Sequence, residues 1–279
     1  MRTTFAASAA ALLLATAANA AISISDNGAL YNTAGQVFNT AATGDGTLTT
    51  LGGPGDQLFK NAWYYRQQNN NQNRIFSSLD TPVEVSSGSA ATATYTNAGA
   101  GTAGFERFNA RFELNIVGLG TNSARVVTKL TFSANAANTS TRTFQVFNLV
   151  DFDLGTGSSA TNDVTLLGNS TYPNSVYKYT EASSANYAEH AGFGATRYQT
   201  STGSSLRSLL GSGSNNLNLA TSAGAADNAS AFQWSLTLAP GQSRVIWASF
   251  SINASSVPTP GSLALLGIGG LVAGRRRRA

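Results

Sequence analysis

Apolar residues in this chain recur at every second position far more often than at every third or fourth. From Ala110 to Gly120, Phe112, Leu114 and Ile116 alternate with Arg111, Glu113 and Asn115, and from Ala124 to Ala134 the residues Val126, Thr128, Leu130 and Phe132 share one face. Successive strand side chains point to opposite faces, so each run predicts a half-buried strand, and the turn Gly-Leu-Gly-Thr-Asn-Ser between them predicts an antiparallel hairpin. Further along, Phe232, Trp234, Leu236 and Leu238 line one side of a strand, and residues 244 to 250 form another, with Val245 and Trp247 or Ile246 and Phe250 on its faces. Pro240-Gly241 supplies the connecting turn. Shorter strands are expected at 58–66, 74–79, 91–96, 143–149, 163–167 and 176–180. One short helix is expected at 205–212, stopped by Gly211.

Strands at this spacing, separated by Gly, Ser, Thr and Asn, predict an all-β fold: a two-sheet antiparallel β-sandwich of jelly-roll or immunoglobulin-like kind. Four alternating faces each need an apolar partner layer, which two facing sheets supply, and Trp234 should lie between them. The tract from Gln67 to Asn73 reads as a polar hairpin tip.

Composition narrows the chemistry. Only 11% of residues are charged, so solubility rests on Ser, Thr and Asn on the outward strand faces. The chain has no cysteine, which removes disulfides, thiolate catalysis, Fe–S clusters and Cys-based zinc sites.

The ends carry addresses. Arg2, an apolar run from Ala6 to Ala18 and the small-x-small triplet Ala18-Asn19-Ala20 predict a secretory signal peptide with a helical core, cleaved before Ala21. The opposite end reads Val-Pro-Thr-Pro, then Gly261 to Gly274, then Arg275, Arg276, Arg277 and Arg278. The arginines hold the cytoplasmic side by the positive-inside bias, with the body outside. Residues 261–274 give only about 21 Å of helix against a hydrocarbon core of about 30 Å, so this short membrane helix is a poor permanent anchor. Without Arg2 and the four tail arginines, 12 of the 17 basic residues face 13 acidic ones. The body is near neutral and offers no basic face to nucleic acid.

Residues 257–278 resemble the PEP-CTERM sorting signal of Gram-negative bacteria, whose usual form is Val-Pro-Glu-Pro, a short apolar helix and an arginine cluster. Here the motif is Val257, Pro258, Thr259 and Pro260, with Thr where the family carries Glu. The resemblance implies Sec export, transient anchoring in the inner membrane, cleavage by an exosortase-type enzyme at the Pro-x-Pro element, and delivery to the cell surface or extracellular matrix. It divides the chain into a signal peptide (1–20), an exported β-sandwich domain (21–256) and a sorting signal (257–279; motif 257–260, apolar helix 261–274, arginines 275–278). The stretches at 56–66, with Trp-Tyr-Tyr-Arg, and 144–163, with Asp-Phe-Asp-Leu, are similar to segments of a group of PEP-CTERM exported proteins and imply membership without an activity.

Within the body, Asp151, Asp153 and Asp163 are candidate oxygen ligands for Ca²⁺, because alternate aspartates at a strand end point to one side and a loop acid can fold back. The competing reading is turn-capping carboxylates, since EF-hand spacing is absent. Trp63, Tyr64 and Tyr65 are candidate sugar-stacking residues, against the ordinary expectation that the pleat sends one or two into the core. His190 is the only histidine, no Gly-x-Ser-x-Gly elbow occurs, and the acid pairs Glu106 with Glu113 and Glu181 with Glu189 are unmarked as glycosidase pairs. No catalytic residue is expected. Two function classes follow: a structural or adhesive surface protein, not an enzyme, or a carbohydrate-binding or hydrolytic protein of the exopolysaccharide layer.

Overall fold

The computed structural model describes residues 22–33, 46–53, 55–67, 73–76, 79, 82–99, 107–154, 163–169, 174–181 and 185–254. The signal peptide with Ala18, Ala20 and Ala21, the sorting motif and the arginine tail all lie outside these, as does most of the Gln67–Asn73 tract. Among the described residues no helix is long and apolar enough to cross a membrane.

The described chain is all-β, with every strand pair antiparallel, but it forms three sheets instead of two. A small sheet takes β1 (Ser23–Asp26), β2 (Ala29–Thr33) and β3 (Gly46–Thr49) in that order. A five-stranded sheet runs β14 (Arg197–Thr202), β16 (Asn228–Leu238), β10 (Arg142–Phe152), β4 (Leu58–Gln67), β5 (Arg74–Ile75). The third has nine strands: β15 (Ser222–Ala226), β11 (Asp163–Asn169), β12 (Asn174–Glu181), β13 (Tyr187–Phe193), β17 (Ser243–Ile252), β9 (Ser123–Ala134), β8 (Phe108–Gly120), β7 (Ala90–Ala98) and β6 (Val83–Ser87). An immunoglobulin-like domain divides about seven to nine strands between both its sheets, and a jelly roll about eight; here one sheet alone holds nine. The predicted hairpin is β8–β9, with Phe112 opposite Leu130 and Leu114 opposite Thr128.

The five-stranded sheet packs on the nine-stranded one through aromatic rings. On β16, Phe232, Trp234, Leu236 and Leu238 enter this core; Phe144, Val146, Val150 and Phe152 do so on β10, and Trp63 and Tyr65 on β4. Trp234 is 2% exposed and stacks on Trp63 at 5.8 Å with 15° between planes. Trp63 meets Phe112 of the facing sheet edge-on at 5.4 Å, and Phe144 meets Phe108 at 6.1 Å. Such offset and edge contacts add to what burial of the rings already contributes.

The other face of the five-stranded sheet is covered too. Ala62, Tyr64, Phe147, Leu149, Ala229 and Ala231 pack with Leu206 and Leu210 of helix α1 (Gly203–Ser212) and with Leu217. Leu206 and Leu210, four residues apart, fall on one helix face. The central strands β4 and β10 therefore lose alternation and are apolar on both sides.

Pro240-Gly241 supplies the connecting turn as expected, leading from β16 in the five-stranded sheet to β17 in the nine-stranded one. Two local expectations change. The helix starts at Gly203 and runs through Gly211 to Ser212, ending where the Gly213 N–H bonds the Leu209 carbonyl. The 74–79 strand shortens to β5, after which Phe76 turns into the core.

Candidate functional site

His190 projects from β13 into the space between the two large sheets and is fully buried. Its Nδ1 lies 2.7 Å from Ser230 Oγ and its Nε2 lies 2.8 Å from Asn148 Oδ1. Asn148 uses its Nδ2 to donate to Asn61 Oδ1 at 2.9 Å and to the Ala62 carbonyl at 3.3 Å. That fixes Oδ1 as the acceptor, so Nε2 carries the ring proton and Nδ1 accepts from the Ser230 hydroxyl. Tyr179 donates to Ser230 Oγ, and Asn61 Nδ2 donates to the Tyr31 hydroxyl at 3.0 Å. The line Tyr179, Ser230, His190, Asn148, Asn61, Tyr31 thus runs from the nine-stranded sheet through the five-stranded sheet to the small one.

Parity on the strands explains this assembly. Ser230 shares its face of β16 with Phe232 and Trp234, Asn148 its face of β10 with Val146 and Val150, and Asn61 its face of β4 with Trp63. Burial pushes the His190 pKa down to about 3, and Phe232 closes over the ring edge-on at 4.7 Å. A hydroxyl next to a neutral imidazole has the composition of a nucleophile and base. Here both are buried at 0% exposure, out of reach of any substrate, and the line holds sheets together.

The three candidate metal ligands fall at the end of the same sheets, with Asp56, Asp227 and Glu181 near them. Asp151 is fully buried and faces α1, where its Oδ2 pairs with Arg207. Gly203 permits this approach, because a Cβ there would meet Asp151 Oδ2 at 2.4 Å. Arg207 also lies over the Phe59 ring at 4.9 Å. Burial raises the Asp151 carboxyl well above its ordinary range, with Asp227 adding to the rise and Arg207 opposing it. Asp153 is pushed up to about 6 by burial and then by Asp227 and Asp56. Asp163 is pushed up to about 8 by burial first, then by Glu181, Asp153 and Asp227.

The three aspartates do not make one site. Asp151 shares its face of β10 with Phe147 and Leu149, toward the helix, whereas Asp163 starts β11 in the facing sheet. Among the described residues, no group of three or more His, Cys, Asp or Glu side chains converges as metal ligands. What surrounds Asp163 instead is a set of buried oxygens that sequence reasoning passed over. Both carboxylate oxygens of Asp163, Oγ1 of Thr165 and Oδ1 of Asn228 are buried without a hydrogen-bond partner among the described residues. Thr165 was findable, two positions along the same strand; Asn228 comes from β16 and was not.

The aromatic trio follows the ordinary expectation of the pleat, which sends two of the rings into the inter-sheet core. Trp63, Tyr64 and Tyr65 are 0%, 3% and 2% exposed, Trp63 and Tyr65 in the inter-sheet core and Tyr64 under the helix. A strand covered on both faces leaves no ring for a sugar. Of the acid pairs, Glu113 is held by Lys129 at 2.7 Å, Glu106 lies outside the described residues, and the pleat sends Glu181 and Glu189 to opposite faces. A cleft of about 480 Å³ opens where β16 and β17 diverge, lined by Thr196, Trp234, Ser235 and Arg244 among others. The Trp234 indole N–H there is already committed to the Phe193 carbonyl at 2.8 Å.

No family model matches the chain, and no curated protein matches it. Solved structures do. A bacterial glucoamylase crystallised with acarbose superposes with a TM-score of 0.50 at 8% identity, covering 82% of this chain and 30% of that one. The chain therefore corresponds to less than a third of the glucoamylase length. A candidate aldose 1-epimerase from Escherichia coli K12 superposes at 0.43 and 8% identity, covering 85% of this chain and 99% of the other. A candidate kojibiose phosphorylase from the human microbiome gives 0.42 and 8%, covering 91% and 33%. At such identity the glucoamylase likeness concerns the fold alone.

Proposed function

We propose that this chain is an exported surface or extracellular-matrix protein with a structural or adhesive role, sent out by Sec through a signal helix at residues 1–20. It is held briefly in the inner membrane by the short helix at 261–274 and released by an exosortase-type enzyme acting at Val257, Pro258, Thr259 and Pro260. The mature part is then a β-sandwich scaffold. One observation carries the reading of the body: the lone histidine and its serine neighbour, the groups best suited to catalysis, are sealed between sheets and spent on inter-sheet hydrogen bonds. Intact-mass analysis of native surface material tests the processing. The expected mature chain begins at Ala21 and lacks Arg275 to Arg278; material that retains those arginines overturns it.

The second reading, a carbohydrate-binding or hydrolytic protein of the exopolysaccharide layer, draws on the cleft between β16 and β17, where Thr196, Ser235 and Arg244 put polar groups beside Trp234. Titrating the mature domain with soluble exopolysaccharide fragments while following Trp fluorescence separates the two. A structural protein gives no saturable change and no release of reducing ends, whereas a saturable change lost in Arg244→Ala favours the second reading.

A further inference from the structure

Among the described residues, the buried oxygens around Asp163 meet no hydrogen-bond partner. We propose that Asp163, Thr165 and Asn228 are the core of a binding site for a hard divalent cation, with calcium preferred.

The placement follows from the sheet. Asp163 and Thr165 are two residues apart on β11 and point to one face, the inner one, where both are 0% exposed. Asn228, 1% exposed, comes from the facing β16 and is anchored to the same spot, because its Nδ2 donates to the Asp163 carbonyl and, at 2.6 Å, to that of Gly224. With the amide nitrogen so committed, Oδ1 is left beside Asp163 without a donor. Glu181 of β12 lies directly across from Asp163 in the register, and its charge adds to the rise of the Asp163 pKa. Asp153 and Asp227 add to the field that Asp163 feels.

Four buried oxygens here, from a carboxylate, an amide and a hydroxyl, have no hydrogen-bond partner among the described residues, and of them only the Thr165 hydroxyl carries a proton to donate. Nitrogen and sulfur ligands are missing from the set, which disfavours zinc and copper. A mixed carboxylate and neutral-oxygen set from two strands suits the large, irregular coordination of calcium better than the strict octahedron of magnesium. The pleat thus keeps Asp163 of the sequence-level trio and replaces Asp151 and Asp153 by Thr165 and Asn228.

Thermal unfolding of the mature chain at pH 7.5, with calcium chloride or with EDTA, tests the site. Calcium should raise the melting temperature, since a ligand bound only by the native state stabilises it by mass action. The rise should vanish in Asp163→Asn and persist in Asp153→Asn. Thr165→Val, which keeps side-chain volume, should weaken calcium binding by about tenfold in calorimetry, the effect of losing one neutral ligand worth one decade of affinity. A wild-type melting temperature equal in calcium and EDTA overturns the proposal, and so does an equal calcium response in wild type and in Thr165→Val. Should Asp163→Asn fail to fold, the comparison of wild type with Thr165→Val decides alone.

Discussion

Two polar regions adjoin between the same pair of sheets, for Tyr179 of the histidine line and Thr165 of the oxygen cluster are cross-strand partners. In the first, donors and acceptors alternate from Tyr179 to Tyr31, and each buried group meets its complement. In the second, acceptors outnumber donors, the Thr165 hydroxyl being the one O–H among four oxygens. Burial alone therefore does not say whether a polar group stabilises a fold. A satisfied line rigidifies the interior, while an acceptor-rich set depends on a proton or cation from outside.

The largest effect should come from the aromatic core between the two large sheets. Trp234→Ala removes a ring stacked on Trp63 and should cost about 3 to 5 kcal/mol, the usual range for a buried large aromatic, read by chemical denaturation. Within the satisfied line, Asn148→Ala strands His190 Nε2 and Asn61 Oδ1 together, and a loss of about 2 to 4 kcal/mol is expected from two orphaned buried groups. A loss no larger than that of an exposed Asn→Ala control would mean that the line contributes nothing.

Acidity separates the two regions by sign. Asp163 holds its proton far more tightly when folded, with a pKa of about 8 against about 4 unfolded. Its stabilising contribution is full below about pH 4 and is lost as pH rises through about 8. Asp153, at about 6, acts in the same direction over a narrower range. His190 acts oppositely: held neutral at about 3, it withdraws stability as pH falls from about 6.5 toward 3. In EDTA the melting temperature should fall between about pH 6.5 and pH 8, and Asp163→Asn should flatten that fall. A melting temperature that climbs over this interval would contradict the placement of Asp163.

The smallest effect sharpens the contrast most. Without calcium, Thr165→Val deletes a hydroxyl that has no partner, so its stability should change by less than about 1 kcal/mol or rise slightly. Ser230→Ala, deleting a hydroxyl inside the satisfied line, should cost about 1 to 3 kcal/mol. Equal losses in matched denaturant titrations would erase the distinction.

Strands with one face toward solvent were readable. Phe112, Leu114 and Ile116 alternate with polar neighbours because the outer face of β8 is wet, and the β8–β9 hairpin follows from that alternation. Trp63, Tyr64 and Tyr65 all went inside for the opposite reason: a strand covered on both faces carries no alternation to read. Asp151 and Asp163 part company for another reason, since twelve residues of separation say nothing about which side of a sheet each will face.

The sequence by itself determined the strand period, the hairpin at 108–134, the burial of Trp234 and the exclusion of thiol chemistry, all of which depend on residue type and short-range spacing. Tertiary structure alone decided that Pro240-Gly241 crosses between sheets, that His190 meets Ser230 and Asn148, and that Asn228 reaches Asp163. Those outcomes depend on register between strands 40 to 90 residues apart, and register is set only when two sheets lock their faces together and leave each buried polar group to find its complement or go without.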